Sequence, residues 1–477
     1  MGNRYWFSGD ISAENRNVTG SLNKISVHRK EGDVHFLVDC GIYYPEKKDE
    51  DEVERNKNYD DFTFKPANID FLLLTHVHAD HCGRIPLLYQ KGFYKEVYCS
   101  PDTAHMLSFA LRDGAKVMAI NAKRDEQKPL YGMEDVERAL REVNPKEFGE
   151  TFEPCDGVKV TFFKNAHLIG AATILVQIES DGNENINLLF LGDYHKENIF
   201  FDVPELPEWV RKLPLHVITE STYGMVDSKD TDVPVFCDNI ANWIKEGRKT
   251  IIIPSLSLGR FQQIAYVLKT MQDNQTLDPN IPIWFDGNLA IKYCIAYRDY
   301  LHISPEMKDF MPFNSGFVND REAILTNDGP QIIVATSGNA NYGPVPEYIS
   351  AFIEKTNAAI HFTSYLMPGS LGNRLLDTER GKMVSVHSVM KKKVADVKTT
   401  QEFSGHAKGN QIVDFLSTLE NIRTLHITHG EVDVKEYFAE YCRERLGVKD
   451  IAIAGMGYTI RVDPYRIVKS IREKEYR

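Results

Sequence analysis

Residues 75–84 read THVHADHCGR, and they crowd His76, His78, Asp80 and His81 together in a chain of 477 residues with only 15 histidines. The preceding IDFLLLT is an apolar run of strand length, so the cluster stands at a strand end. In extended chain, side chains two positions apart project to one side, which lets His76 and His78 converge on one ion. Asp80 and His81 follow the bend and can turn toward a second position. Imidazole and carboxylate without thiolate suit zinc or a similar divalent ion with open coordination. An ordinary polar loop does not account for four such residues directly after an apolar strand.

Working outward, other strand ends offer further ligands. His167 ends GVKVTFFKNAH, Asp193 ends NLLFLGD and His429 ends RTLHITH. Strand ends are where α/β active sites gather. Alone, His167 or His429 reads as a structural histidine; beside the cluster, each reads as a ligand. NKISVHR, VHFLVDC, EVYCS and AATILVQIES also predict strands, and DTAHMLSFALRDGAKVMAINAKR and GMEDVERALREVN predict helices. This interleaving predicts a layered α/β domain. A second α/β series follows LHVITESTYG, with TIIIPS, IPIWFDG, QIIVATSG and IHFTSYL as strands and LGRFQQIAYVLKTMQ and PEYISAFIEK as helices. The last 80 or so residues return to strand and helix.

Composition narrows the class. The length suggests roughly two or three domains. A net charge of −12 excludes a global basic field, so nucleic-acid binding would need local patches. Seven cysteines without a CxxC pair read as reduced thiols of a cytoplasmic protein, and Cys82 as a buried thiol. The sequon at Asn17 is then read as chance. No apolar run approaches the ~18 residues of a membrane span, and the N-terminus has no signal core. Trp6 stands where a myristoylation motif needs Ser or Thr. The acidic run 49–54 is expected to be a solvated loop. Lys391, Lys392 and Lys393 are expected beyond a strand, at a hairpin turn.

HVHADH, a later histidine and the aspartate of LGDY resemble the metallo-β-lactamase fold. Asp39 in FLVDCG resembles that family's first motif, an aspartate that ends a strand and supports a ligand histidine from behind. The resemblance sharpens to the β-CASP nucleases. VITESTYG is similar to their motif A with Glu220, EFSGHAKGN to motif B with His406, and ITHGE to motif C with His429. NVTGS, LGRFQQ and SYLMPGSLGNRLLD also resemble family landmarks, in the expected order across nearly the whole chain. The implied fold is α/β, a metallo-β-lactamase αββα sandwich with an inserted α/β β-CASP domain. Its divisions would be 1–224 and 396–477 for the sandwich and 225–395 for the insert; in a departure from the larger family members, the chain is expected to end at Arg477 soon after the fold closes, without an appended RNA-binding domain.

The resemblance also implies two zinc ions per chain, with manganese as the alternative. His76, His78 and His167 would hold one, Asp80, His81 and His429 the other, and Asp193 would bridge them. A histidine at motif C marks the RNA-processing members, such as the cleavage and polyadenylation endonuclease and ribonuclease J. Single-stranded RNA is therefore the implied partner, cut by a two-metal-activated hydroxide to leave 3′-hydroxyl and 5′-phosphate ends. His406 would be the general acid, with Glu220 orienting it and raising its pKa; Asp80 and Asp193 would act through the metals. Ser337 and Gly338, Ser404 and Gly405, and Arg260 and Arg374 are candidates for phosphate contacts, with a structural turn the equal reading for the Ser/Gly pairs. His195 is read as a supporting or surface residue. A homodimer is compatible with the sequence.

Three rival readings stand beside this one. A DNA nuclease of the same superfamily shares most of these residues. A hydrolase of small esters or thioesters shares HVHADH but has no need of Glu220 or His406. A non-catalytic scaffold is disfavoured because every expected ligand is present. Endonuclease and 5′-exonuclease modes share these motifs.

Overall fold

The computed structural model describes residues 8–13, 20–28, 32–43, 57–124, 126–179, 185–227, 233–300, 316–400, 403–453, 458–462 and 467–472. The Asn17 sequon, most of NVTGS and the acidic run 49–54 lie outside the described residues. Two compact units form. The first comprises Met1–Asn198, Asp202–Ser228 and His406–Arg477, and the second Ile199–Phe201 and Lys229–Gly405.

Two sheets build the first unit. Among the described residues, one has eight strands: Ile467–Arg472, Tyr458–Val462, Ser8–Ala13, Asn23–His28, Val34–Val38, Phe71–Leu73, Val97–Cys99 and Val143–Pro145, from edge to edge. The other has seven: Ile451–Ile453, Ile422–Ile427, Leu215–Thr219, Ile186–Phe190, Ala172–Ile178, Val158–Lys164 and Thr151–Cys155. Alternating side chains of both sheets meet in one buried core, with Ile25, Phe36, Phe71 and Leu73 from the first and Val160, Phe162, Ile174, Leu188 and Ile218 from the second. Phe36 and Phe71 lie opposite each other on neighbouring strands and stack with centroids 4.8 Å apart. The outer face of the second sheet, with Leu189, Val217 and Leu425, buries the apolar stripes of helices Gly409–Leu416 and Val432–Leu446. Helix Pro101–Arg124 packs against Met133–Arg141 and the edge strand Val143–Pro145 of the first sheet. The result is an α/β sandwich of two sheets with flanking helices.

Register brings distant residues to one edge of this sandwich. Leu215–Thr219 pairs in parallel with both Ile186–Phe190 and Ile422–Ile427. The residues just past these carboxyl ends, Asp193, Glu220 and His429, therefore stand side by side. Val34–Val38 and Phe71–Leu73 are likewise parallel, which sets Asp39 beside Thr75 and His76. Gly41 lets the two turns meet, because a Cβ there would lie 1.5 Å from the Asp80 carbonyl oxygen.

The second unit is a five-stranded parallel sheet in the order Ile283–Asp286, Gln331–Thr336, Thr250–Ser255, Ala358–Phe362, Asp396–Thr399. The three inner strands are buried along almost their whole length, as a sheet covered by helices on both sides requires, whereas the edge strand Asp396–Thr399 is polar and half exposed. Ile252, Ile333 and Ile360 share a core with Tyr348, Ile349 and Phe352 of helix Val345–Phe352.

The structure departs from the sequence expectations at weakly patterned strands. Ser8–Ala13, Val143–Pro145 and Thr151–Cys155 are strands that carry no long apolar run. The last two are edges, and Pro145 and Pro154 are tolerated there because an edge has one ladder only. Lys391 and Lys392 are not beyond a strand: they belong to Val389–Lys392, the return strand of a hairpin with Met383–Val386. Lys391 meets Glu354 at 3.5 Å, and the Lys393 ammonium donates to the Thr378 carbonyl at 2.5 Å.

Candidate metal centre

The strand ends of the first unit converge on two groups of candidate ligand atoms. His76 and His78 leave strand Phe71–Leu73 on extended chain, and His167 follows Val158–Lys164. The Nε2 atoms of His76 and His167 lie 3.2 and 3.0 Å from His78 Nδ1, and both lie 3.6 Å from Asp193 Oδ2. Four atoms spaced this way match a tetrahedron around zinc, whose edge is roughly 3.3 Å for a metal–nitrogen bond near 2.05 Å.

The second group lies on the other side of Asp193. Asp80 and His81 sit in the short helix Ala79–Cys82, whose N-cap His78 ends the extended segment. His81 Nε2 is 3.1 Å from Asp193 Oδ1 and 3.8 Å from Asp80 Oδ2. His429 Nε2 is 3.5 Å from Asp193 Oδ1 and 3.6 Å from Asp80 Oδ2. Each group thus takes one oxygen of Asp193, and within each group the candidate ligand atoms lie within 4.8 Å of one another. His81 Nε2, His429 Nε2 and Asp193 Oδ1 are buried and have no hydrogen-bond partner among the described residues. Converging buried lone pairs of this kind are what a divalent cation satisfies, so the residues fit a pair of metal ions.

Each ring is fixed from behind. Asp39 Oδ2 accepts from His81 Nδ1 at 2.8 Å, and both oxygens of Asp39 accept from the Thr75 hydroxyl. Thr75 Oγ1 lies 3.0 Å from His76 Nδ1, and Thr222 Oγ1 3.0 Å from His429 Nδ1. Asn165 accepts the His167 backbone N–H and donates to the carbonyls of Leu191 and Asp193. Sequence reasoning found Asp39 and missed Thr75, Thr222 and Asn165. Adjacency to a ligand histidine was the available signal for Thr75, and a place just past Glu220 for Thr222. Such backing contacts set tautomer and orientation.

Electrostatics follow from burial around opposed charges. Burial raises the Asp193 carboxyl, but His429, His81 and His406 outweigh it and hold the group well below its ordinary value. Burial pushes His76 well down and His78 to about 4, which leaves both rings as neutral donors. For His81, burial is outweighed by Asp193 and Asp39, which draw it well above its ordinary value. A cation bound at Nε2 must displace that proton, so metal binding there is linked to proton release.

A third feature adjoins the two groups. His406 Nδ1 donates to Glu220 Oε2 at 2.8 Å, while His406 Nε2 faces Asp193 Oδ2 at 3.7 Å. Glu220 is buried and also accepts the Tyr194 N–H at 2.5 Å and the Thr222 N–H at 3.4 Å. Burial lowers the His406 imidazole, but Glu220 and then Asp193 reverse this and hold it at about 9. Ser404 and Gly405 immediately precede it. His195 is partly buried, with Nδ1 2.7 Å from the Glu197 carbonyl. Ser337, Gly338, Arg260 and Arg374 belong to the second unit. Arg260 donates to the Thr363 carbonyl, and Arg374 to those of Gly369 and Ser385.

Among the described residues, no helix is long and apolar enough to cross a membrane. Three family descriptions match the chain: the metallo-beta-lactamase superfamily over residues 27–172, the Beta-Casp domain over 261–375, and the Zn-dependent metallo-hydrolase RNA specificity domain over 391–454. The chain is 28% identical over 441 residues to "Transcription termination factor FttA" of Methanococcus maripaludis, which covers 86% of this chain and 65% of that protein. It is 28% identical over 426 residues to "Ribonuclease TTHA0252" of Thermus thermophilus, covering 86% of this chain and 91% of the relative. The chain spans 65% of the length of the FttA proteins of both M. maripaludis and Methanocaldococcus jannaschii. A crystal structure of a protein of unknown function from Enterococcus faecalis V583 shares the fold, with a TM-score of 0.56 at 11% identity, covering 96% of this chain and all of the other.

Proposed function

Because this chain belongs to the β-CASP branch of the metallo-β-lactamase superfamily, we propose that it is a metal-dependent ribonuclease cutting RNA to 3′-hydroxyl and 5′-phosphate ends. The metallo-β-lactamase domain is assigned to 1–224 with 396–477, and the β-CASP domain to 225–395. His76, His78 and His167 form one ligand set and Asp80, His81 and His429 the other, with Asp193 shared. The observation that carries the reading is the pairing of His406 with the buried Glu220 beside Asp193. A hydrolase of small esters with the same ligand set has no use for it. The ribonuclease name of the Thermus relative, which aligns over 91% of its length, supports RNA as the substrate.

Two bound zinc ions, or manganese in their place, would supply Lewis acidity to a water molecule and to the phosphoryl oxygens. The chain's own residues supply the rest. Attack of the water oxygen on phosphorus, with one of its protons released to solvent, breaks the P–O3′ bond, and the departing oxygen needs a proton. His406, with Nδ1–H engaged by Glu220, presents Nε2–H on the side of Asp193. Held at about 9, the imidazolium is populated at neutral pH and gives its Nε2 proton to O3′. Asp39, Thr75 and Thr222 keep the ligand rings oriented through the step.

The test is incubation of metal-loaded protein with 5′-labelled and 3′-labelled RNA, beside single-stranded DNA of the same sequence. The reading expects RNA products with 5′-phosphate and 3′-hydroxyl ends. Cleavage of DNA with RNA left intact, or 3′-phosphate ends, would overturn it. Mononucleotides from one end would assign an exonuclease mode, and internal fragments an endonuclease mode.

A further inference from the structure

The second unit carries a feature that the metal centre does not use. Its chain enters the sheet at the central strand Thr250–Ser255, crosses to the edge strand Ile283–Asp286 and returns to Gln331–Thr336. It then crosses the other way to Ala358–Phe362. Right-handed crossovers in opposite directions put their helices on opposite faces. Helix Arg260–Asp273 packs on Gln331–Thr336, and helix Val345–Phe352 on Thr250–Ser255. The carboxyl end of Thr250–Ser255 is therefore the topological switch point, where open α/β sheets leave a ligand crevice.

What lines this point is specific. A Cβ on Gly338 would lie 3.0 Å from Ser364 Oγ and 3.2 Å from a Leu256 methyl, so these three residues, one past each of three adjacent strands, share one spot. Ser364 is 5% exposed, and its hydroxyl has no hydrogen-bond partner among the described residues. Exposed apolar and aromatic side chains belong to the same loops: Leu256 is 41% exposed, and Tyr342 and Tyr365 are each 59% exposed. Hydrogen bonds tie their loops together. Tyr342 exchanges hydrogen bonds with Ser337, while Asn339 and Asn341 accept the N–H groups of Met367 and Leu371. Arg260 and Arg374 bond the carbonyls of Thr363 and Gly369, placing a positive charge on each side of the Tyr365 loop.

We propose that this crevice is a base-stacking subsite for single-stranded RNA, contained within the second unit. Tyr342 and Tyr365 would take bases on their ring faces, Ser364 would hydrogen-bond a phosphate or base edge, and Arg260 and Arg374 would offset backbone charge. Exposed aromatic rings beside positive charge are how proteins grip single strands without reading sequence. This inference rests on the ribonuclease reading.

The experiment measures binding of a labelled single-stranded RNA to the full metal-loaded chain, made inert by His406→Ala, by fluorescence anisotropy. Tyr342→Ala and Tyr365→Ala should each weaken binding roughly tenfold, and Tyr365→Phe should restore it to within about twofold. Both side chains are mostly exposed, and the melting temperature checks that the fold persists. Should an alanine variant fail to fold, Tyr365→Leu keeps the bulk without the ring and should weaken binding to the same degree. Unchanged affinity in the folded double variant would overturn the subsite. With His406 intact, unaltered KM in that double variant would do the same while leaving the ribonuclease reading in place. Failure of the ribonuclease reading would show instead as RNA left uncut by the otherwise wild-type chain.

Discussion

Replacing Glu220 by Gln tests whether the carboxylate keeps His406 acidic at neutral pH. The change is isosteric and removes one charge 2.8 Å from the imidazole. Glu220 now accepts from three donors, the N–H groups of Tyr194 and Thr222 and the ring of His406. A Gln side chain has one oxygen, so it can keep the Tyr194 bond only by turning its NH₂ toward His406 Nδ1. That arrangement favours the neutral ring. An adjacent opposite charge is worth roughly 1–3 pK units, or about 1.4–4 kcal/mol. His406 should then fall from about 9 to between roughly 6 and 8. The sign is that of a cationic acid losing its anion: the active protonated form survives at lower pH and is lost earlier as pH rises. Turnover near pH 8 should drop by roughly 2- to 100-fold and recover toward wild type on acidification. The assay is kcat against pH for both proteins at equal metal content. A basic limb that does not move, in a variant that retains its metal, would refute the role given to Glu220.

Three further outcomes follow from the same geometry. His406→Ala should lower turnover by roughly 10²–10⁴-fold with metal content unchanged by elemental analysis; cleavage at the wild-type rate would remove the general-acid assignment. Asp80→Ala takes one atom from the second ligand group, so metal per chain should fall along with activity, and full retention of both ions would contradict the grouping. Gly41→Ala drives a Cβ into the Asp80 carbonyl, so it should cost about 3 kcal/mol or more in denaturant unfolding and weaken metal binding at the Asp80–His81 turn.

Much of the candidate site was legible because its histidines and carboxylates sit in short local patterns. His76 and His78 alternate on extended chain, and Asp80 and His81 follow a bend that the structure makes into the helix Ala79–Cys82. Apolar runs ending in His167, Asp193 and His429 marked strand ends, and the sheet gathers those ends at one edge. What escaped were contacts without periodicity. Thr222 touches His429 across 207 positions, and Asn165 reaches Asp193 through backbone groups. Strands such as Thr151–Cys155 escaped as well, because an edge needs little apolar patterning to pair. Lys391 and Lys392 looked like a turn because charge alone does not separate a turn from an exposed hairpin strand.

The sequence by itself determined which chemistry was available: imidazoles and carboxylates at strand ends, no thiolate pair, and the order of the family's motifs along the chain. Those are local properties of residue type and spacing. The tertiary structure alone decided how the groups divide. It gave one oxygen of Asp193 to each ligand group and laid His406 on Glu220 across 186 positions. It also left Tyr342 and Tyr365 outside the second unit's core. Parallel pairing of Ile186–Phe190, Leu215–Thr219 and Ile422–Ile427 aligns residues hundreds of positions apart, and only that register turns separate side chains into one site.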